Sequence, residues 1–259
     1  MQTTGVSESS EVTTFDAQPC VGASLSSLAV ELFTLIYRPL AINAETVAEN
    51  HRPIENQLAS LRFFDLARNY PTNAGVILFA RDLLGWLPNA YVQYVRFEGL
   101  DKGADGSAEK RFQGDLSSVV RDLNAWVGLV TSTYPERVSP LEERLASDFP
   151  EVAVRELLMN AVLHRAYDAA SPIHFYQFFD RIEIQNPGPL YGVARPGNFP
   201  HRTSYRNPII AEALNTLGVV NRYGRRVERA KKALEKNGSP PPEFVFGDTF
   251  FAAIIRARC

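Results

Sequence analysis

Residues Glu151 to Arg165 read Glu-Val-Ala-Val-Arg-Glu-Leu-Leu-Met-Asn-Ala-Val-Leu-His-Arg, with Glu156, Asn160 and His164 at successive i+4 positions. On a helix that spacing stacks the three polar side chains along one stripe. Leu157, Leu158, Ala161, Val162 and Leu163 fill most of the remaining surface, and a helix apolar on so many sides is normally buried. Burying three polar groups in a row is costly unless each finds a partner, from other side chains, water, a metal or a ligand. The stripe therefore marks a candidate site. Its start is legible as well: Asp148 as a cap, Pro150 in the first turn and Glu151 three residues after Asp148 predict a helix from that point.

A chain of 259 residues with 45% hydrophobic and 22% charged residues has the make-up of one large globular domain or two modest ones. The net charge of -2 is unevenly spread, because residues 195–236 carry ten Lys/Arg against three acids. Cys20 and Cys259 lie outside every periodic segment, which argues against a disulfide framework and fits a reducing compartment. No apolar run approaches membrane-spanning length and the polar N-terminus does not read as a signal peptide, so a cytoplasmic protein with no membrane partner is expected.

Residues 1–24, rich in Ser, Thr, Glu and Gly, read as a flexible linker. Helical stretches are expected over 27–37 and 44–68, the second through Val47, Leu58, Leu61 and Leu66. Val76–Phe79 reads as a short buried strand, Ala90–Phe97 as an alternating one, and 99–108 as a Gly/Asp-rich loop. A long helix is expected over 115–131, and a hairpin over 173–179 and 181–185 turning at Asp180. Residues 189–206 form a long polar loop, hence a lid candidate. Asn207-Pro208 caps a helix that Gly218 stops, a basic helix runs from about Gly224 to Asn237, and strands follow at 244–246 and 250–255. Helices and strands alternate without a regular βαβ repeat, so the class is α+β, with a mixed or antiparallel sheet and helices on one face.

Several motifs in order match one family. Phe149-Pro-Glu-Val-Ala-Val-Arg-Glu-Leu-Leu-Met-Asn-Ala-Val-Leu-His-Arg165, Phe179-Asp-Arg-Ile-Glu-Ile-Gln-Asn-Pro-Gly188, Arg206-Asn-Pro208, Leu217-Gly218 and the Gly224 turn are joined upstream by Pro71-Thr-Asn-Ala-Gly-Val-Ile-Leu-Phe79, Leu87-Pro-Asn-Ala90 and Phe112-Gln-Gly114. Over residues 25–256 the chain resembles the RecG-like, Schlafen-type transcriptional regulators of bacteria and archaea. In that family an Alba-like nucleic-acid-binding module precedes this region, and residues 8–25 resemble the connector that follows it. The second half of such proteins resembles the GHKL ATP-binding (Bergerat) fold of gyrase, Hsp90, MutL and histidine kinases. The resemblance thus implies a 25–134 helix and strand region followed by a GHKL-like nucleotide-binding domain over 135–259. A Gly-Lys-Ser/Thr P-loop and helicase motor motifs are absent from the sequence.

The same resemblance implies roles. Glu156 would activate the attacking water, and the amide oxygen of Asn160 would hold Mg²⁺ against the phosphates of ATP. His164 would face the phosphates or the lid, with Arg165 as a counter-charge. Asn186-Pro-Gly188 stands where the family fold carries Asp-x-Gly, so Asn186 and Gly188 fall in the adenine-reading motif without its carboxylate. Arg206 belongs to the basic lid. Gly224-Arg225-Arg226 stands at a Gly-x-Gly that presents backbone N–H groups to phosphate, and Arg226 in place of its second Gly either crowds the phosphates or clamps them. The implied role is nucleotide-responsive regulation of DNA transactions, with weak ATPase activity and a second protomer as a partner. The alternative is a nucleic-acid- or protein-binding module with a degenerate pocket, in which Arg222, Arg225, Arg229 and Lys232 meet a DNA or RNA backbone. Glu228 and Glu235 stand at spacings that pair such charges internally.

Overall fold

The computed structural model describes residues 13–49, 51–139, 141–202, 204–220 and 225–258. Their strands are β1 (Phe64–Asp65), β2 (Tyr70–Pro71), β3 (Val92–Phe97), β4 (Gly106–Phe112), β5 (Thr133–Ser139), β6 (Glu142–Ser147), β7 (Ile173–Gln177), β8 (Arg181–Pro187), β9 (Glu243–Phe246) and β10 (Phe250–Arg256). A six-stranded sheet runs in the order β4-β3-β7-β8-β10-β9. Only β3 and β7 pair in parallel within it; the other neighbours are antiparallel. The class is therefore α+β with a mixed sheet.

Alternation along the strands sets one face toward helices. Ile184 lies between Phe175 and Ala253 in the register, and Ile182 beside Ile255's strand position. All five are buried. Asn186 and Phe251, one pair further along, share that face and close its end. The helices are α1 (Val30–Leu32), α2 (Arg38–Ala41), α3 (Ala44–Glu49), α4 (Ile54–Ser60), α5 (Asn73–Phe79), α6 (Leu83–Trp86), α7 (Leu116–Val130), α8 (Glu151–His164), α9 (Pro208–Thr216) and α10 (Arg226–Asn237). Helix α8 packs on β7, β8 and β10 and is flanked by α7 and α10. Its apolar residues are almost all buried, as an apolar surface on so many sides requires. Among the described residues no helix is long and apolar enough to cross a membrane.

Several expectations need correction. The flexible linker over 1–24 does not hold for residues 13–24: Asp16, Cys20 and Ala23 are buried, and Asp16 accepts the backbone N–H groups of Ile209 and Ile210. Residues 1–12 lie outside the described residues. A domain boundary at 134/135 is crossed by the parallel β3–β7 pairing and by one continuous core that runs from Cys20 to Ile255. Val76–Phe79 is not a strand but the end of α5, whose N-cap Thr72 accepts from Gly75 N and whose residues are buried all round. The long helix over 44–68 is interrupted: α4 starts after Pro53, which makes no side-chain cap, and Arg62 adopts a left-handed φ of 65°. Strand β4 begins inside the stretch expected to be a loop. Asp148 does not cap α8; its carboxylate accepts from Tyr134 Oη at 3.0 Å instead.

Candidate functional site

The polar stripe of α8 is divided among three surroundings. Glu156 is 5% exposed and pairs with Arg229 of α10, Arg229 Nη1 donating to Oε1 at 2.6 Å. Asn160, one turn on, lines a cleft between α8, the sheet end and the 189–206 loop. His164, at the last turn, stacks its ring on Tyr205 at 5.7 Å and 10° between planes, and lines the same cleft. Burial pushes the His164 imidazole down to about 4, and the positive charges of Arg226 and Arg206 add to that. It is therefore neutral at pH 7.

Helix α10 runs beside α8 and delivers Arg226 to this cleft. The Arg226 guanidinium is buried, which pulls its pKa below the ordinary arginine value, while the Tyr205 hydroxyl and the Glu156 carboxylate support its charge. Apolar lining comes from Leu190, Ala194, Val227 and Phe251. Asn186 also lines the cleft at 2% exposure, and its Oδ1 has no hydrogen-bond partner among the described residues. A buried acceptor left unpaired costs about 1–3 kcal/mol, so this oxygen is a place where a donor from a ligand would lower the free energy. Chemically the cleft combines apolar surface with one unpaired acceptor, a neutral imidazole, an amide and a buried guanidinium.

The expected lid is folded down. Phe199 packs against Phe244, Phe246 and Phe251 with ring centroids 5.0–5.6 Å apart. Arg195 N donates to Asn198 Oδ1 and Asn198 Nδ2 returns to Val193 O, so the loop is also tied to itself. In this arrangement the cleft has a free volume of only about 50 Å³, against roughly 300–1,000 Å³ for small-molecule sites.

Other candidate residues support the cleft or lie away from it. Arg165, expected as a counter-charge to phosphate, is 1% exposed and points into the core. Its guanidinium donates to the carbonyls of Tyr91 and Ser171, each at 3.0 Å, and of Asn89. Arg206 donates to His164 O at 3.1 Å and Pro189 O at 2.7 Å, and so fixes the end of α8 to the loop. Gly188 has a φ of +100°, and a Cβ there would stand 2.9 Å from that of Ala166, so its freedom serves the turn. Arg225 and Lys232 are exposed, whereas Arg229 is engaged by Glu156. Arg222 and Gly224 lie outside the described residues. Among the described residues no group of three or more His, Cys, Asp or Glu could hold a metal ion.

The sequence reading missed Tyr205, Phe199, Phe251 and Asn207 as parts of the site. Asn207 is fully buried; its Nδ2 donates to Leu163 O and Arg165 O and closes the C-terminus of α8, at 2.9 and 2.8 Å. Tyr205 and Asn207 flank Arg206 next to Pro208, which was the available signal. Phe199 and Phe251 carry none, because an aromatic residue in a loop or strand is equally consistent with core packing.

Residues 170–255 match the family model described as "Putative ATP-dependent DNA helicase recG C-terminal". The match includes Asn186 and Arg226 but stops short of α8. No curated protein matches the chain. The fold is similar to the crystal structure of the DIP2311 protein from Corynebacterium diphtheriae, with a TM-score of 0.70, 20% sequence identity, and coverage of 95% of this chain and 48% of that one. The chain thus spans about half the length of that neighbour, and the likeness is one of fold. Residues 170–255 therefore resemble a RecG C-terminal, ATPase-type segment, set in a mixed α+β fold that extends well upstream of it.

Proposed function

We propose that the chain is a nucleotide-binding regulatory protein that takes ATP in the cleft beneath the 189–206 loop. The observation that carries this reading is the unpaired, buried Oδ1 of Asn186 in a cleft that is largely lined by apolar residues. An exocyclic amino group such as that of adenine supplies the donor this oxygen lacks, and Val227, Leu190 and Phe251 supply flat apolar contact. Arg226, which lines the same cleft, would meet the phosphate charge. Asn160 offers an amide oxygen to Mg²⁺, which would neutralise the phosphates; with no carboxylate beside Asn160, the ion would be carried mostly by phosphate oxygens.

Entry needs room, so the loop must lift from its Phe199 anchor and close again over the ligand. Glu156 would be the water-activating base, but its carboxylate is held by Arg229 at 2.6 Å. Binding with slow or absent turnover follows, and a nucleotide that shifts the loop acts as a switch. The RecG-like match over residues 170–255 supports a role in DNA transactions, of the kind expected for a Schlafen-type regulator with a GHKL-like module.

Calorimetric titration with ATP, ADP and a non-hydrolysable ATP analogue, each with Mg²⁺, tests the reading on the native protein, Asn186→Ala and Asn160→Ala. Micromolar binding that Asn186→Ala abolishes is the expected result. Heat-free titrations of a folded sample would sink the reading. The remaining alternative would then be a nucleic-acid- or protein-binding surface centred on exposed Arg225 and Lys232.

A further inference from the structure

A second and larger cavity is lined by the Glu156–Arg229 ion pair. It has a volume of about 550 Å³ and opens between the Phe33–Ala41 helical segment, α7, α8, α10 and the 217–220 segment after α9. Helix α7 presents Ser117, Val120, Arg121 and Asn124 to it, positions that share one helical face. Helix α8 adds Arg155 and Met159 as well as Glu156, and α10 adds Arg229. The two cavities share no lining residue: Asn160 and Arg226 face the first, and Glu156 and Arg229 face the second.

The charge within this cavity does not balance. Among the described residues, three guanidinium groups face a single carboxylate, and that carboxylate is taken by Arg229 at 2.6 Å. Arg155 approaches Glu156 only to 3.9 Å, and Arg121 makes one hydrogen bond, to Ser118 Oγ at 3.0 Å. Arg121 and Arg155 therefore keep most of their donors for another acceptor, and a planar guanidinium favours the paired oxygens of phosphate or carboxylate. The floor between them is apolar, with Val120 and Met159 buried. The volume falls within the range of small-molecule sites.

We infer that this cavity is a binding site for a small phosphate-bearing ligand with an apolar body, separate from the nucleotide cleft. The phosphate sits between Arg121 and Arg155 and the apolar body lies on Val120 and Met159. The site rests on its own residues and stands whether or not the first cleft takes ATP. Because Glu156 and Arg229 line this cavity, occupancy here would tighten or loosen the pair that restrains Glu156.

The test is calorimetric titration of the full chain with inorganic phosphate and with phenyl phosphate at fixed ionic strength. Four proteins are compared: native, Arg121→Met, Arg155→Met and Asn186→Ala. Phenyl phosphate is expected to bind native protein more tightly than inorganic phosphate does. Either arginine substitution is expected to weaken it about tenfold, the loss of one charged hydrogen bond, while Asn186→Ala leaves it unchanged. Both arginines are partly or fully exposed, so their substitution leaves the core intact, which an unchanged melting temperature checks. No heat, or equal affinity in the native and arginine variants, overturns the site. Loss of phenyl phosphate binding in Asn186→Ala also overturns it, because the probe would then be held by the nucleotide cleft.

Discussion

Asp16 Oδ2 accepts the backbone N–H of Ile209 at 2.7 Å, and that of Ile210 at 3.2 Å. The first turn of α9 is thereby capped by a residue from the other end of the chain, because the local cap Asn207 spends its side chain on α8. A fully buried carboxylate at a helix N-terminus is stabilised by the N–H groups and by the helix dipole. Asp16→Ala is expected to lower stability by about 2 kcal/mol, the upper end for a cap. The midpoint of urea unfolding, compared with Asp16→Asn, which keeps an acceptor oxygen, measures it; equal midpoints for Asp16→Ala and native would contradict the capping role.

Arg165 is a structural residue by its contacts: its guanidinium donates to three backbone carbonyls, of which Tyr91 O also accepts from Ile173 N and Asn89 O from Tyr91 N. Removing the donor set leaves Ser171 O without its described partner, at about 1–3 kcal/mol, and takes one of two donors from each of the other carbonyls. Arg165→Met is therefore expected to cost about 3 kcal/mol or more. Arg165→Lys should recover only part, since an ammonium group cannot reproduce the planar fork. Thermal melting of the two variants reads this directly, and a Met variant as stable as native would refute it.

The pH dependence follows from His164. Its folded pKa of about 4 lies below the ordinary 6.5, so between those values the unfolded chain takes up a proton that the native protein refuses. Stability is undiminished above pH 6.5 and is lost as pH falls toward 4, by at most about 1.4 kcal/mol per pH unit. Native protein should lose more stability between pH 7 and 4.5 than His164→Phe, which keeps a ring against Tyr205. Equal losses would place the cost of acid elsewhere.

The Glu156–Arg229 pair joins a buried carboxylate to a guanidinium whose side chain is 42% exposed. Arg229→Met leaves that carboxylate with Arg155 at 3.9 Å as its nearest described cation. A cost of about 1–3 kcal/mol is expected, below that of a fully buried pair because the arginine is solvated. Adding Glu156→Gln should return much of it, and a double-mutant cycle in urea gives the coupling. Additive effects of the two substitutions would show that the pair contributes nothing.

Where signals were local, the sequence could be read closely. Asp115 caps α7 by accepting from Ser118 N, and Gly238 ends α10 in a left-handed turn with φ 76°, both as their residue types require. The turn at Asp180 and the alternation beside it produced β7 and β8. Helix α5 was misread because a short apolar run buried on every side has no period to distinguish helix from strand. Strand β4 was missed because six of its seven residues are exposed and its side chains show no alternation. For the site, the spacing of Glu156, Asn160 and His164 found α8 but could not tell that one turn separates two cavities. The capping of α9 by Asp16 is a long-range contact with no local trace.

The parallel seam between β3 and β7, with Val92 opposite Ile173 and Arg96 opposite Gln177, limits how this chain can be cut. A fragment beginning at 135 would keep the Glu156 and Asn186 surfaces but leave β7 as a naked edge, with Phe175 stripped of Tyr94. Unpaired strand edges of that kind recruit other chains. The upstream half therefore belongs to the same folding unit as the downstream one, since β3 covers the edge that β7 would otherwise expose.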